Sequence, residues 1–322
     1  MPEWLIERGI GETRAALVED GEIIEARIEL DGAIPAGSVL RVRVAETGTN
    51  SRNAVAIAEG GIEYLLPKGA PGVSQGATLA IEVTRVAIPG SEPWKRPLGR
   101  ATDRPVGLAP SLAERLGGRT LVFPSGRDEL GQAGWDDLIE EARVGAMTFA
   151  GGELRLSATP AMTLIDVDGY LEPEELAVLG AGEAARALNR LDIGGSIGID
   201  LPTARSKVAR QRAAEALERG LSGPFERTAV NGFGFLQVVR PRSRPSLIEL
   251  AQDRAPFEAR ALLRQAASQS AGARRLVANP AVIAVLEKNR SWIGELERQV
   301  GGAVELREAP LLPMSAGYAE TP

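Results

Sequence analysis

The chain has 322 residues, of which 44% are hydrophobic and 25% charged, and its formal charge is −6. This composition is typical of a folded protein of two or three domains, and the net charge argues against a generally cationic nucleic-acid binder. The absence of cysteine and histidine excludes thiol nucleophiles, serine–histidine triads, histidine general bases and the usual zinc sites. Any catalysis must therefore use carboxylates, hydroxyls, amines or a bound metal.

The N-terminal part of the chain has the patterns of β-structure. Opening strands that pack on a core are predicted within residues 1–34, where strand-like runs separated by glycine turns cover 4–10, 14–18 and 22–30. Short alternating runs, separated by Gly, Asn and Ser clusters, follow up to residue 88. They predict a small five-stranded barrel over residues 35–88.

Barrels of this type bind single-stranded nucleic acid through exposed aromatic rings and basic groups. Tyr64 is the one aromatic residue that stands out in this segment, and we predict that it contacts RNA bases. Positive charge is supplied by Arg41, Arg43, Arg52 and Lys68. Because one ring offers little stacking, a barrel that serves mainly as a scaffold is the alternative.

The remaining chain alternates between helical and strand-like patterns. Residues 89–110 are rich in proline, glycine and charge, as in a linker or an extended surface segment. Residues 111–247 predict a mixed-sheet core, which begins with a short helix, the strand-like RTLVFP, a helix around 135–143 and a hairpin. Residues 248–322 predict a small C-terminal α/β domain. The fold class is therefore α/β, as an α+β multidomain protein.

Two aspartates alternate with apolar residues in the run TLIDVDG. The period of a strand places Asp166 and Asp168 on one face. A helical run and a second short strand, GSIGID, follow, and this second strand ends at Asp200. Strand, helix and strand predict a right-handed crossover between parallel strands, which brings Asp200 beside the first two aspartates. Such a cluster suits a hard divalent cation, although aspartates at strand ends also cap helices and turns.

A weak dinucleotide-binding pattern, G-x-G-x-x-A, occurs at Gly180, Gly182 and Ala185. The residues before it read more naturally as a helix than as the strand that this motif requires. Nucleotide binding is therefore the less favoured reading of this segment.

Basic residues follow both strand-like segments of the core. Arg205 and Lys207 come just after Asp200, at the start of a predicted helix that also carries Arg210 and Arg212. Arg240, Arg242 and Arg244 alternate after the strand-like run 233–239, so they project in the same direction. These side chains either bind phosphates or form a solvated charged face.

The order of these motifs resembles the catalytic core of the ribonuclease E/G family. The resemblance is carried by IDVDG, an alanine-rich helix, LDIGGSIGID, a basic helix and NGFGFLQVVRPRSRPSL, and it is strong from about 163 to 247. It implies that Asp166 and Asp200 hold Mg²⁺, that Arg240 and Arg242 follow the same strand as in the family, and that products carry 5′-phosphate and 3′-hydroxyl ends. It also implies an inserted OB-fold domain that binds RNA.

The chain departs from this family at several positions. Asp168 stands where the family usually has asparagine, and Leu201, Pro202 and Thr203 offer no second aspartate after Asp200. The family's short cysteine pair is missing, so a zinc-linked assembly is excluded and any oligomer must form otherwise. The segment that senses the RNA 5′ phosphate in larger members is mostly absent.

Together these features predict a magnesium-dependent endoribonuclease that cleaves single-stranded RNA in RNA processing or decay. Asp166 and Asp200 hold the ion, Asp168 is a third ligand or orients the attacking water, and basic side chains contact the RNA backbone, namely Arg240, Arg242, Arg205 and Lys207. The alternative is a non-catalytic RNA-binding protein derived from the same family. Without a signal-like start or a run of roughly 18 apolar residues, we expect a cytoplasmic location and no membrane contact.

Overall fold

The computed structural model describes residues 1–47, 53–70, 72–90 and 95–322. Arg52, one of the basic residues assigned to the barrel, and residues 91–94 of the assigned linker lie outside these ranges. The described residues form three sheets and one closed barrel. The architecture is mixed α/β, as the sequence patterns predict.

The opening strands form an antiparallel meander close to the predicted positions, and they are β1 (Glu3–Arg8), β2 (Glu12–Glu19) and β3 (Glu22–Leu30). Alternation of apolar residues makes these strands two-faced. Their buried side chains include Leu5, Ala16 and Ile28, which belong to the main hydrophobic core.

The closed barrel contains β4 (Val39–Thr47), β5 (Ala54–Ala58), β6 (Glu63–Leu66), β7 (Thr78–Arg85) and β8 (Leu98–Ala101). Its last strand, β8, lies within the segment that the sequence analysis assigns to a linker, so that assignment is wrong for these four residues. Strand β8 pairs with β7 and β6 and closes the barrel. A Cβ on its Gly99 would lie 2.7 Å from Ile81 Cδ1, so a glycine that weakens the strand signal is needed for close packing.

The next segment contains α1 (Leu112–Leu116), β9 (Arg119–Thr120), α2 (Glu129–Gln132), α3 (Trp135–Val144), β10 (Ala146–Phe149) and β11 (Gly152–Ala158). Strand β9 pairs in parallel with β1 and completes a four-stranded sheet of order β3-β2-β1-β9. The opening strands therefore share a sheet with the segment assigned to the core.

The central sheet also contains β12 (Thr163–Gly169), β13 (Gly195–Asp200), β14 (Glu226–Arg227) and β15 (Phe235–Arg240), and its order is β10-β11-β12-β13-β15-β14. Only β12 and β13 are parallel neighbours, and α4 (Pro173–Arg190) connects them. Helix α5 (Lys207–Gly220) follows β13 and packs against α4.

One face of the central sheet is covered and the other is open. Ile165 and Val167 of β12 are buried, whereas Leu164, Asp166 and Asp168 on the opposite face are exposed. Helix α4 covers the buried face so closely that a Cβ on Gly180 would lie 2.3 Å from Val167 Cγ1.

The dinucleotide-like pattern therefore has a structural explanation. Gly180, Gly182 and Ala185 all lie inside α4, with no strand and turn before them. Gly180 allows the helix to approach the sheet, and a Cβ on Gly220 of α5 would lie 3.0 Å from Ala185 Cβ. The pattern belongs to helix packing and not to a phosphate-binding turn.

The C-terminal part contains α6 (Leu247–Gln252), α7 (Arg254–Ser268), β16 (Arg274–Ala278), α8 (Pro280–Lys288), α9 (Arg290–Val300), β17 (Val304–Glu308) and β18 (Tyr318–Glu320). Its sheet has the order β17-β16-β18 and packs with the helices around a second hydrophobic cluster. Across the described ranges, no helix combines the length and the apolar character that crossing a membrane requires.

A buried network of ion pairs joins the opening sheet to α7. Glu7 accepts hydrogen bonds from Arg14 Nη1 at 2.6 Å and from Arg264 Nε at 3.0 Å. Glu12 accepts from Arg14 Nε at 2.7 Å and from Arg260 Nε at 2.8 Å. All five side chains are buried.

Candidate functional site

The two aspartates that the sequence pairs do lie opposite each other. In the parallel ladder between β12 and β13, Asp166 is the direct partner of Asp200. Neighbouring strands are about 4.8 Å apart, and Asp168 follows two residues later on the same side of β12. All three side chains are exposed. The crossover therefore brings three carboxylates to one edge of the open face, at the carboxyl ends of both strands.

The pKa of Asp166 is raised above its usual value. Partial burial is the largest cause, and the negative charges of Asp168 and Asp200 add to it. Arg155 opposes the shift but does not cancel it. A carboxylate in this position is stabilised by a proton or by a cation.

Neither the crossover helix nor the next helix uses these aspartates as caps. Helix α4 has Glu172 at its N-cap, and α5 is capped by Ser206, whose side chain accepts from the Ala209 N–H. Among the described residues, none of the three aspartates forms an ion pair. The helix-capping reading of these aspartates therefore fails.

A row of side chains crosses the open face at the level of Asp166. The strand registers pair Arg155 of β11 with Asp166, Asp166 with Asp200, and Asp200 with Phe235 of β15. Arg155 is exposed and forms an ion pair with Glu153 at 2.7 Å. Arg155 is not among the site residues predicted from the sequence, although the alternating LRLS run before TLIDVDG could have indicated it.

The turn before β15 holds another residue that the sequence analysis missed. Phe233 is 84% exposed, and its backbone N–H donates to Asn231 Oδ1 at 2.9 Å. The N–H of Phe235 donates to the same oxygen at 3.1 Å. Gly234 has a φ of 94°, and a Cβ there would lie 2.1 Å from the Leu201 carbonyl oxygen, so this turn requires glycine.

The aspartates and the turn share one open cleft of about 490 Å³. Its lining includes all three aspartates, together with Thr203 and Phe233. Thr203 Oγ1 donates to the Phe233 carbonyl oxygen at 3.4 Å. The loop after β13 and the turn before β15 therefore close one side of the cleft.

Arg240 and Arg242 do not lie beside the aspartates, and the contact with the RNA backbone predicted for them stays a prediction. Because β13 and β15 are antiparallel, Arg240 pairs with Gly195, at the far end of β13 from Asp200. The two ends of β13 are about 17 Å apart at the rise of a strand. From the sequence alone, a residue at the end of a strand can lie at either end of the sheet. The direction in which that strand pairs with its neighbour decides which end it occupies.

The three alternating arginines have structural partners. Arg240 donates to the backbone carbonyl oxygens of Leu188, Ile193 and Ser222, each at 3.1 Å. Arg242 and Arg244 form ion pairs that join the segment after β15 to Glu249 and Asp192. Burial is the largest cause of the lowered pKa of Arg240.

Arg205 and Lys207 lie between the end of β13 and the first turn of α5, the helix that packs against α4. Both side chains are exposed. Within the parts of the chain that the structure describes, neither side chain forms a hydrogen bond or an ion pair. Both are therefore available to a ligand, although neither lines the carboxylate cleft.

Tyr64 is not a surface aromatic, so its predicted contact with RNA bases is wrong. It is 2% exposed and belongs to the hydrophobic core of the barrel with Leu66 and Ile81. Burial also raises the pKa of its hydroxyl. From the alternation along β6, either set of alternate side chains could point into the barrel. In the structure, the set that includes Tyr64 points inwards.

The donor set suits a hard cation. Mg²⁺ commonly takes one or two protein carboxylates and completes its shell with water and phosphate oxygens, and Asp166 and Asp200 supply two such ligands. In the described parts of the chain, no cluster of three or more His, Cys, Asp or Glu side chains has the arrangement of a metal site. The chain matches no protein-family model and no curated protein sequence.

Proposed function

We propose that this protein is a magnesium-dependent endoribonuclease of the ribonuclease E/G type, which cleaves single-stranded RNA during RNA processing or decay in the cytoplasm. The observation that carries the proposal is the direct pairing of Asp166 with Asp200 at the carboxyl ends of two parallel strands. Ligands of open α/β sheets bind at this edge. The motif order and the absence of histidine and cysteine chemistry support the same conclusion.

Asp166 and Asp200 would hold the ion. When bound, Mg²⁺ would polarise the scissile phosphate and lower the pKa of a bound water. Asp168, on the same face and two residues from Asp166, would orient that water by accepting a hydrogen bond. The raised pKa of Asp166 supports a site in which the carboxylates repel each other until a cation is present.

Basic side chains around the cleft would bind the RNA backbone. Arg155 is the cross-strand neighbour of Asp166, whereas Arg240 lies at the far end of β13. Arg205 and Lys207 are exposed on the adjoining segment. Guanidinium groups bind phosphate oxygens with directed, charge-assisted hydrogen bonds, so Arg155 is the better candidate for the phosphate nearest the carboxylates.

The proposal is tested by cleavage of an end-labelled, unstructured RNA with Mg²⁺ or with EDTA. We expect wild-type protein to cleave only with Mg²⁺, and Asp166→Asn and Asp200→Asn to reduce cleavage to background without loss of folding. Asp103→Asn removes an exposed carboxylate away from the cleft and should cleave as wild type, which controls for contaminating nucleases.

The same experiment separates the two functions. Cleavage that survives in both aspartate variants would refute the proposed site. If no protein cleaves but wild type binds the RNA, the protein is a non-catalytic RNA binder, and the carboxylate pair serves another ligand.

A further inference from the structure

Two exposed aromatic rings flank the carboxylate cleft. Tyr170 and Phe233 are both 84% exposed and are the most exposed aromatic side chains among the described residues. Phe233 lines the cleft, and Tyr170 lies between two residues that line it, Gly169 and Leu171. A single exposed ring is unremarkable on a protein surface, but two rings at one site indicate a binding role.

The two rings lie on different strand ends. Tyr170 directly follows β12, which carries Asp166, whereas Phe233 precedes β15, on the far side of β13. In the order of the strands, β13 with Asp200 therefore lies between them. A ligand that contacted both rings would pass the end of β13, where Asp200 lies.

The backbone that carries each ring is already held in place. The Phe233 turn is fixed by Asn231 Oδ1 and by Thr203, and Gly234 fits closely against Leu201. The Tyr170 N–H donates to the Gly151 carbonyl oxygen at 3.2 Å. Rings presented from fixed backbone lose little entropy when a flat ligand covers them, which favours binding.

We propose that Tyr170 and Phe233 are stacking platforms for unpaired nucleobases at the carboxylate cleft. This inference rests on the proposed function and adds the residues that select its substrate. A base inside a duplex has both faces covered, so only a single strand can stack on these rings. Because every base has an aromatic face, the site recognises an unpaired strand and tolerates different sequences.

The rest of the molecule supports this location for base stacking. The barrel holds its Tyr64 in the core, so among the described residues the two most exposed rings lie at the cleft and not on the barrel. Arg205 and Lys207 add positive charge on the same edge of the sheet. The cleft thus combines aromatic surface with nearby cations, which is the usual composition of a single-strand site.

The test measures binding in the full-length Asp200→Asn protein, in which cleavage does not interfere. Fluorescence anisotropy is recorded with a short labelled single-stranded RNA, the same RNA annealed to its complement, and an abasic ribose-phosphate chain of equal length. The variants are Tyr170→Ala and Phe233→Ala, with Tyr170→Phe and Phe233→Trp as replacements that keep a ring. Val239→Ala removes an exposed apolar side chain from the other end of β15 and is the matched control.

We expect each alanine variant to bind single-stranded RNA about tenfold more weakly. The ring-preserving variants and Val239→Ala should bind as the parent protein does. None of the substitutions should change binding to the abasic chain, because it has no bases to stack. Unchanged affinity of both alanine variants for single-stranded RNA, or an equal loss on the abasic chain, would overturn the inference.

Cleavage by proteins that retain Asp200 separates this inference from the proposed function. Ring-dependent binding without any magnesium-dependent cleavage would refute the nuclease and keep the stacking platforms. Cleavage that is equally fast in wild type, Tyr170→Ala and Phe233→Ala at subsaturating RNA would keep the nuclease and refute the platforms.

Discussion

Two groups of acidic side chains in this protein have opposite surroundings. Glu7 and Glu12 are buried between the opening sheet and α7, and each accepts hydrogen bonds from two arginines. Asp166 and Asp200 are exposed on the open face of the central sheet, where they are direct partners in the ladder, and among the described residues neither forms an ion pair. The first group has its charge compensated by the fold, whereas the second does not.

One member of each group, Glu12 and Asp166, has a shifted pKa, and the two shifts are in opposite directions. Burial alone would raise the pKa of Glu12, but the charges of Arg14 and Arg260 outweigh it and lower that pKa. For Asp166, burial and neighbouring carboxylates act together and raise the pKa. The difference teaches that a carboxylate paired within the chain holds the fold together, while one left among like charges is available to a cation from outside.

The largest expected effect on stability comes from breaking the buried network. Glu7→Gln removes the charge that compensates Arg14 and Arg264, so we expect the free energy of unfolding to fall by about 3–5 kcal/mol. Urea denaturation followed by circular dichroism measures this loss. Asp200→Asn is the comparison, and a loss for it as large as that for Glu7→Gln would erase the contrast between the two groups.

The same contrast applies to arginines. Arg240 donates to three backbone carbonyl oxygens, so Arg240→Ala should lower the free energy of unfolding by about 2 kcal/mol. Arg205→Ala should leave the free energy of unfolding unchanged. It should make RNA binding less dependent on salt concentration, by the amount that about one phosphate contact contributes. Denaturation measures the change in stability, and fluorescence anisotropy at several salt concentrations measures the change in RNA binding. A stability loss for Arg205→Ala together with a weaker salt dependence for Arg240→Ala would instead place Arg240 on the RNA-binding surface.

Asp166 and Glu12 should also make opposite contributions to the pH profile of stability. Asp166 has a folded pKa above its unfolded value, so its stabilisation is present at low pH and is lost as the pH rises through the folded pKa. Glu12 has a lowered pKa, so its stabilisation is present at neutral pH and is lost as the pH falls through the folded pKa.

These signs are measured as differences in melting temperature between wild type and variants from acid to neutral pH. With rising pH, Asp166→Asn should become more stable than wild type, by about 0.5 kcal/mol because solvent screens the exposed carboxylates. Glu12→Gln should become less stable than wild type over the same range. If the stability of both variants relative to wild type changed in the same direction with rising pH, the predicted contrast between Asp166 and Glu12 would be refuted.

The smallest effect is expected from Asp168→Asn. This change removes one of the charges that raise the pKa of Asp166 and introduces the residue that the resemblance implies at this position. Magnesium-dependent cleavage should be retained, and stability at neutral pH should rise by no more than about 0.5 kcal/mol. Loss of cleavage would instead make Asp168 a required ligand.

The sequence by itself determined much of the candidate site. Alternation in TLIDVDG predicted that Asp166 and Asp168 share a face, and the strand–helix–strand order predicted that Asp200 lies beside them. Both inferences depend on local backbone geometry and on the handedness of a crossover, which are properties of short segments. The opening strands, the barrel and the C-terminal α/β unit were predictable for the same reason.

Only the tertiary structure decided which end and which face each remaining residue occupies. The antiparallel pairing of β15 takes Arg240 away from Asp200, barrel closure places Tyr64 inside, and the open face brings Arg155 and Phe233 to the carboxylates. A periodic pattern specifies which side chains point the same way. The partner strand, which is distant in sequence, decides the direction of pairing and the face that becomes buried.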